Sequence, residues 1–173
     1  MKSVLISIRP QWCEKIARGK KTIEVRKTAP KEVPFKAYIY CTYGKDKENY
    51  MLGKRGKVIG EFVCDKVDEY EPQVILCAYY EVNGAYVKEN LRYNSGTCLS
   101  YEDMANYSNG KTLYGWHISD LKIYDKPKEL SEFKTGCIGC KDRDTYHCKF
   151  YCCMERPITR PPKNYIYVND LGE

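Results

Sequence analysis

The opening stretch of the chain constrains the fold more than any other. From Val4 to Arg9 apolar and polar residues alternate, with Val4, Ile6 and Ile8 facing one way and Leu5, Ser7 and Arg9 the other, which predicts a strand. Pro10 ends that pattern and suits the first turn of a helix. From Gln11 to Arg18 the apolar stripe Trp12, Cys13, Ile16 and Ala17 recurs at helical spacing. Gly19 is the natural left-handed stop, and Arg18, Lys20 and Lys21 gather where cations complement the helix dipole. Thr22 to Lys27 returns as a strand, with Ile23 and Val25 on one face and Thr22, Glu24 and Arg26 on the other.

The remainder repeats short strands and turn signals. Further strands are expected over Phe35–Thr42, Lys57–Asp65, Leu113–Tyr124 and Tyr165–Val168. Asn83-Gly84, between Tyr79–Val82 and Ala85–Lys88, is a type I′ hairpin signal. Ser100 to Tyr107 reads as a short helix with Ser100 as N-cap and Asp103 in its first turn. Many strands and few helices predict an α+β, mainly β architecture, a small barrel with short helices. The 173 residues suffice for one well-filled domain, 1–173. No stretch approaches the ~20 apolar residues of a membrane span, and Arg9-Pro10 interrupts the only N-terminal apolar run. No membrane partner and a cytoplasmic location are therefore expected.

Charge is distributed unevenly. Residues 1–60 hold 15 Lys+Arg against 5 Asp+Glu, whereas 61–173 hold 14 against 18. An electropositive surface from the first third suits a phosphate-bearing polyanion, against the plainer reading of a solvated face. The 17 tyrosines fit strands first and base stacking second. Of the 10 cysteines, Cys13, Cys41, Cys64, Cys77 and Cys98 are scattered among mostly apolar neighbours and read as core packing. The other five crowd into a strand-poor segment at about 135–156. There Cys137, Cys140, Cys148 and Cys152 could close a structural zinc site, with His147 and Cys153 as alternative ligands. A metal-free thiol-rich loop and a disulfide are the competing readings. Four thiolates leave no open position for water, so a zinc ion there would be structural.

Gly19-x-Lys21-Thr22-x-Glu24-x-Arg26, preceded by a strand and a helix led by Pro10 and Trp12, resembles the ASCH domain. Two later segments, Tyr114-Gly115-Trp116-His117-Ile118-Ser119-Asp120-Leu121 and Ile158-Thr159-Arg160-Pro161-Pro162, are similar to ASCH proteins of Gram-positive bacteria and their phages. The resemblance covers about 1–70 and 113–170, leaving 71–112 as an insertion. It implies a PUA-like β-barrel and RNA binding, with hydrolysis of acetylated cytidine or cleavage of RNA in some members.

The residues themselves support a binding site. Arg26 can offer a bidentate fork and Glu24 can accept from an amino group, which together suit the edge of a base. Lys20, Lys21 and Arg9 would attract phosphate, and Trp12 or Trp116 could stack on a ring. The plainer reading makes Glu24 and Arg26 a surface ion pair, worth little, and puts Trp12 in the core. For catalysis, a lysine among cations can lose its proton and serve as base. The resemblance to amidohydrolase members implies Lys21 with a threonine and a downstream glutamate. That threonine position holds Glu24 here, Thr22 lies two residues earlier, and Glu61 is the downstream candidate by order alone. His117 reads as a satisfied residue rather than a base. Three functions follow: a module recognising RNA or a modified nucleotide, a hydrolase using Lys21, Thr22 and Glu24, or a phage or mobile-element accessory protein contacting partners through Tyr79, Tyr80 and Tyr86.

Overall fold

The computed structural model describes residues 1–44, 50–51, 53–71, 79–82, 85–88, 96–135 and 156–171, without the side chains of 79–82, 85–88 and Tyr101. In chain order its elements are β1 (Lys2–Ile8), α1 (Pro10–Ala17), β2 (Ile23–Arg26), β3 (Phe35–Cys41), β4 (Lys57–Cys64) and β5 (Val67–Tyr70). A hairpin of β6 (Tyr79–Val82) and β7 (Ala85–Lys88) precedes α2 (Tyr101–Ser108), β8 (Leu113–His117) and β9 (Ser119–Lys128). A 3-10 turn at Leu130–Glu132 follows, then β10 (Lys134–Thr135), β11 (Arg156–Pro157) and β12 (Tyr165–Val168). The mainly β, α+β expectation holds.

The chain forms two compact units. The first comprises Met1–Glu14, Pro34–Val63 and Asp120–Glu173, and carries a five-stranded sheet in the order β12-β1-β3-β4-β9. β1 runs parallel to β3, with Leu5 opposite Tyr38, and antiparallel to β12. Four consecutive residues of β1, Ser3 to Ile6, are buried, so both its faces are covered and strict polar alternation is not needed. On one face Leu5, Tyr38, Tyr40, Val58 and Val168 pack with Phe133 and Ile158. Phe133 meets Tyr38 edge-on, with ring centroids 4.9 Å apart.

Gly60 in β4 has no room for a side chain: a Cβ there would lie 2.4 Å from the Lys122 carbonyl oxygen in β9. Gly60→Ala is expected to destabilise the protein by ~1–3 kcal/mol, because backbone rather than a flexible side chain must move. Urea unfolding measures the cost, and a midpoint unchanged from wild type would refute this packing.

The second unit comprises Lys15–Val33 and Cys64–Ser119. Its sheet is β2-β8-β5, antiparallel throughout. Residues directly opposite share a face, so Glu24, Trp116 and Val67 lie on one side, as do Arg26, Tyr114 and Glu69. On the other side Val25, Tyr70 and Leu113 pack with Met104 of α2. The predicted cap is present: the Ser100 hydroxyl accepts from Asp103 N and the Asp103 carboxylate accepts from Ser100 N. Ser100→Ala is expected to cost ~1 kcal/mol in thermal or urea unfolding.

Three local expectations change. β5 adds a strand the sequence does not announce, because Val-Asp-Glu-Tyr carries too little apolar signal to stand out from a loop. The single strand expected over Leu113–Tyr124 is two strands, broken at Ile118 and followed by Asp120 in left-handed backbone (φ 48°). Ala17, placed on the apolar stripe of α1, is exposed and Trp12 is half-buried, while Cys13 and Ile16 are buried. The Asn83-Gly84 turn and the 137–153 cysteine cluster lie outside the described residues.

Candidate functional site

The site grows from the last turn of α1. Gly19 takes the left-handed conformation (φ 69°), where a side chain would cost strain. Its N–H donates to Ile16 O at 2.8 Å, and the N–H groups of Lys20 and Lys21 both donate to Lys15 O. The turn places Lys21 two residues ahead of β2.

All four residues of β2 are buried, and Lys21 just before it is 2% exposed. The polar face of the strand is therefore covered as fully as its apolar face. This corrects the surface ion pair considered from sequence: Glu24 is 5% and Arg26 7% exposed. Alternation along a strand identifies residues that share a face but does not say what packs on that face.

Glu24 lies between two cations. Its Oε2 is 3.5 Å from Lys21 Nζ and its Oε1 is 3.3 Å from Arg26 Nε. Both contacts are longer than the ~2.7–2.9 Å of a close charge-assisted hydrogen bond. Lys21 Nζ donates a shorter bond, 2.6 Å, to the Thr97 carbonyl. Burial pulls the Lys21 pKa down; the Glu24 carboxylate and Cys98 push it up by less, and Arg26 adds to the lowering. The net direction is below an ordinary lysine, which moves the amine toward its neutral, basic form.

The other sequence candidates are placed as follows. Lys20 and Thr22 are exposed beside Lys21. Trp116 stands opposite Glu24 in the register and is fully buried, so its ring is core in this form. Arg9, exposed, and Trp12 belong to the first unit. So does Glu61, which accepts from the Tyr124 hydroxyl at 2.5 Å. His117 has the partner expected of a satisfied residue, with Nε2 2.6 Å from Asp68 Oδ2, while Lys66 bridges to the other carboxylate oxygen at 3.0 Å. Burial pushes the Asp68 carboxyl up, but these two partners more than offset it and the net shift is downward.

Among the described cysteines, Cys13, Cys41 and Cys64 are buried as core residues should be. Cys98 is not: it is half-buried, with its thiol 3.2 Å from Lys20 O. Among the described residues no three His, Cys, Asp or Glu side chains gather as a metal site. The zinc candidates Cys137, Cys140, Cys148 and Cys152, with His147 and Cys153, fall outside them. No helix among the described residues is long and apolar enough to cross a membrane.

Sequence reasoning missed Gly96 and Thr97. Thr97 is fully buried, and the Gly96 carbonyl accepts from both Thr22 N and Ile23 N, at 2.8 and 2.9 Å. Ser95-Gly96 is a turn signal, but nothing in its spacing ties it to a motif more than 70 residues earlier.

The fold so described is ASCH-like. An ASCH protein of Zymomonas mobilis is similar over 97% of this chain and 88% of its own, at 18% identity and a TM-score of 0.59. A single-residue variant of that protein matches at 17% identity and a TM-score of 0.60, covering 99% and 93%. No sequence-family model and no curated protein sequence matches the chain.

Proposed function

We propose that the chain is a nucleic-acid-binding module recognising RNA or a modified nucleotide at the Lys21–Glu24–Arg26 site. The observation that carries this is the burial of three charged side chains at and just before one short strand, with Lys21 and Arg26 held 3.5 and 3.3 Å from the Glu24 carboxylate between them. A buried ion cluster is a poor device for stability, since apolar residues of similar volume often do as well or better. Donors and an acceptor preset on a strand can instead pair with the edge of a base. The exposed Lys20, Arg18 and Lys27 offer phosphate contacts nearby in sequence.

Binding of short single-stranded RNAs and of free nucleosides, measured by fluorescence anisotropy and calorimetry, tests this reading. For a few phosphate contacts, RNA affinity is expected to fall ~10-fold or more between 50 and 200 mM salt. Arg26→Lys, which keeps the charge but not the fork, is expected to weaken binding ~10-fold or more while the protein remains folded. Absence of binding to every RNA and nucleoside, or binding indifferent to salt and to Arg26→Lys, would sink the proposal.

One observation favours a second reading, hydrolysis of acylated nucleosides or of RNA. Burial lowers the Lys21 pKa below that of an ordinary lysine, which favours a neutral amine that can act as a base. Turnover that disappears in Lys21→Ala and rises with pH as the amine deprotonates would favour it over binding alone.

A further inference from the structure

Four successive residues of the motif are each held by the same short segment. Cys98 Sγ donates to Lys20 O at 3.2 Å, the Thr97 carbonyl accepts from Lys21 Nζ at 2.6 Å, and the Gly96 carbonyl accepts from Thr22 N and Ile23 N. The segment is itself fixed. Gly96 has φ 95°, outside the range most side chains tolerate, and Cys98 adopts left-handed backbone at φ 58°. Leu99 N donates to Thr97 Oγ1, and Ser100 then caps α2, whose Met104 is locked in the core.

A Cβ on Gly96 would lie 2.4 Å from Thr22 Oγ1 and 3.2 Å from the Ile23 side chain. Only glycine lets the backbone approach the motif this closely. Gly96 and Thr22 lie far apart in sequence, so the contact is a consequence of tertiary structure and not of local turn chemistry.

We infer that Gly96-Thr97-Cys98 is the positioning element of the site: it holds the Lys21 amine in place and keeps water from it. The inference rests on the functional reading only in taking Lys21 for the working amine. It assigns that role to chain within 71–112, the stretch that the sequence motifs of the resemblance do not reach. Variation in this segment would then retune Lys21 while leaving the motif itself unchanged. Facing the amine are Glu24 and Arg26 from β2 and Cys98 from the segment, so these groups, with burial, set its protonation.

The test is acetylation of the ligand-free protein by a water-soluble succinimidyl ester over a pH series. Peptide mass spectrometry compares Lys21 with exposed Lys20 as an internal standard. In the wild type, Lys21 is expected to react far more slowly than Lys20, with a pH midpoint below that of ordinary lysine. In Gly96→Ala the Lys21-to-Lys20 ratio is expected to rise about tenfold and the midpoint to move up as water enters, reflecting the left-handed strain and the clash. Thr22→Ala in the same background removes the nearest clashing atom and is expected to restore part of the protection, a rescue that general loosening of the fold would not give.

If Gly96→Ala does not fold, Cys98→Ala and Cys98→Ser decide. Serine keeps the donor to Lys20 and is expected to label like wild type, whereas alanine labels faster. Unchanged ratio and midpoint in folded Gly96→Ala, or identical labelling of the two Cys98 variants, would overturn the inference. Because no ligand is present, failure of RNA binding leaves this result standing, and the reverse also holds.

Discussion

Glu24→Ala is expected to cost the fold ~3–5 kcal/mol, the range for removing one partner of a buried ionic cluster. The reason is what it leaves behind. Lys21 and Arg26, 2% and 7% exposed, would face each other with no carboxylate between them. Glu24→Gln tests whether charge or shape matters, since it keeps the volume and loses the charge. If charge dominates, the two variants should unfold at similar urea concentrations.

The variants should also differ from wild type in pH dependence. Lys21 has a folded pKa below its unfolded value of 10.5, with burial the main cause. Between those two values the unfolded chain holds the extra proton, so stability rises with pH across that window. Glu24 is the strongest influence raising the folded pKa. Its removal widens the window downward, and the rise in stability should begin at lower pH. A loss below ~1 kcal/mol in both variants, with an unaltered pH profile, would mean that the three charges are not coupled as their geometry requires.

How much of this was legible in the sequence differs by element. β1, α1, β2, β3, β4, the β6–β7 hairpin, α2 and β12 all carry local signals: alternation, Pro10 and Gly19 at the helix ends, Ser100 with Asp103. Such signals act over a few residues, and the structure reproduces them to within a residue or two. β5 was missed because Val67–Tyr70 is half acidic and its strand character comes from pairing with β8. Long-range contact sets both the pairing and its register, and no local pattern records it.

The site divides the same way. Glu24 and Arg26 are readable together from strand period, and the motif resemblance joins Lys21 to them although alternation does not fix its direction. Their burial was not readable, since it depends on what covers the polar face of β2. Thr97 was invisible for a sharper reason. It acts through its backbone carbonyl, which every residue possesses, so residue type carries no trace of the role. The chemistry of Trp116 allows stacking on a ring, yet its full burial in β8 opposite Glu24 puts it in the core beside that residue.

That placement gives the other large expected effect. Trp116→Ala should destabilise the protein by ~3–5 kcal/mol, since it deletes a fully buried indole and leaves a void the sheet can only partly close. Trp116→Phe removes less volume and should cost clearly less. The void would open on the face that carries Glu24, directly opposite Trp116 in the register. Water entering it would relieve the desolvation that depresses Lys21, so the Lys21 pKa should rise toward 10.5 in any folded fraction. Urea unfolding gives the first quantity and the pH midpoint of Lys21 acetylation gives the second. If Trp116→Ala were as stable as wild type but lost RNA binding, the indole would be a ligand platform and not core. A coupled loss of stability and upward shift of Lys21 would establish that the tryptophan serves the site by keeping its charged residues dry.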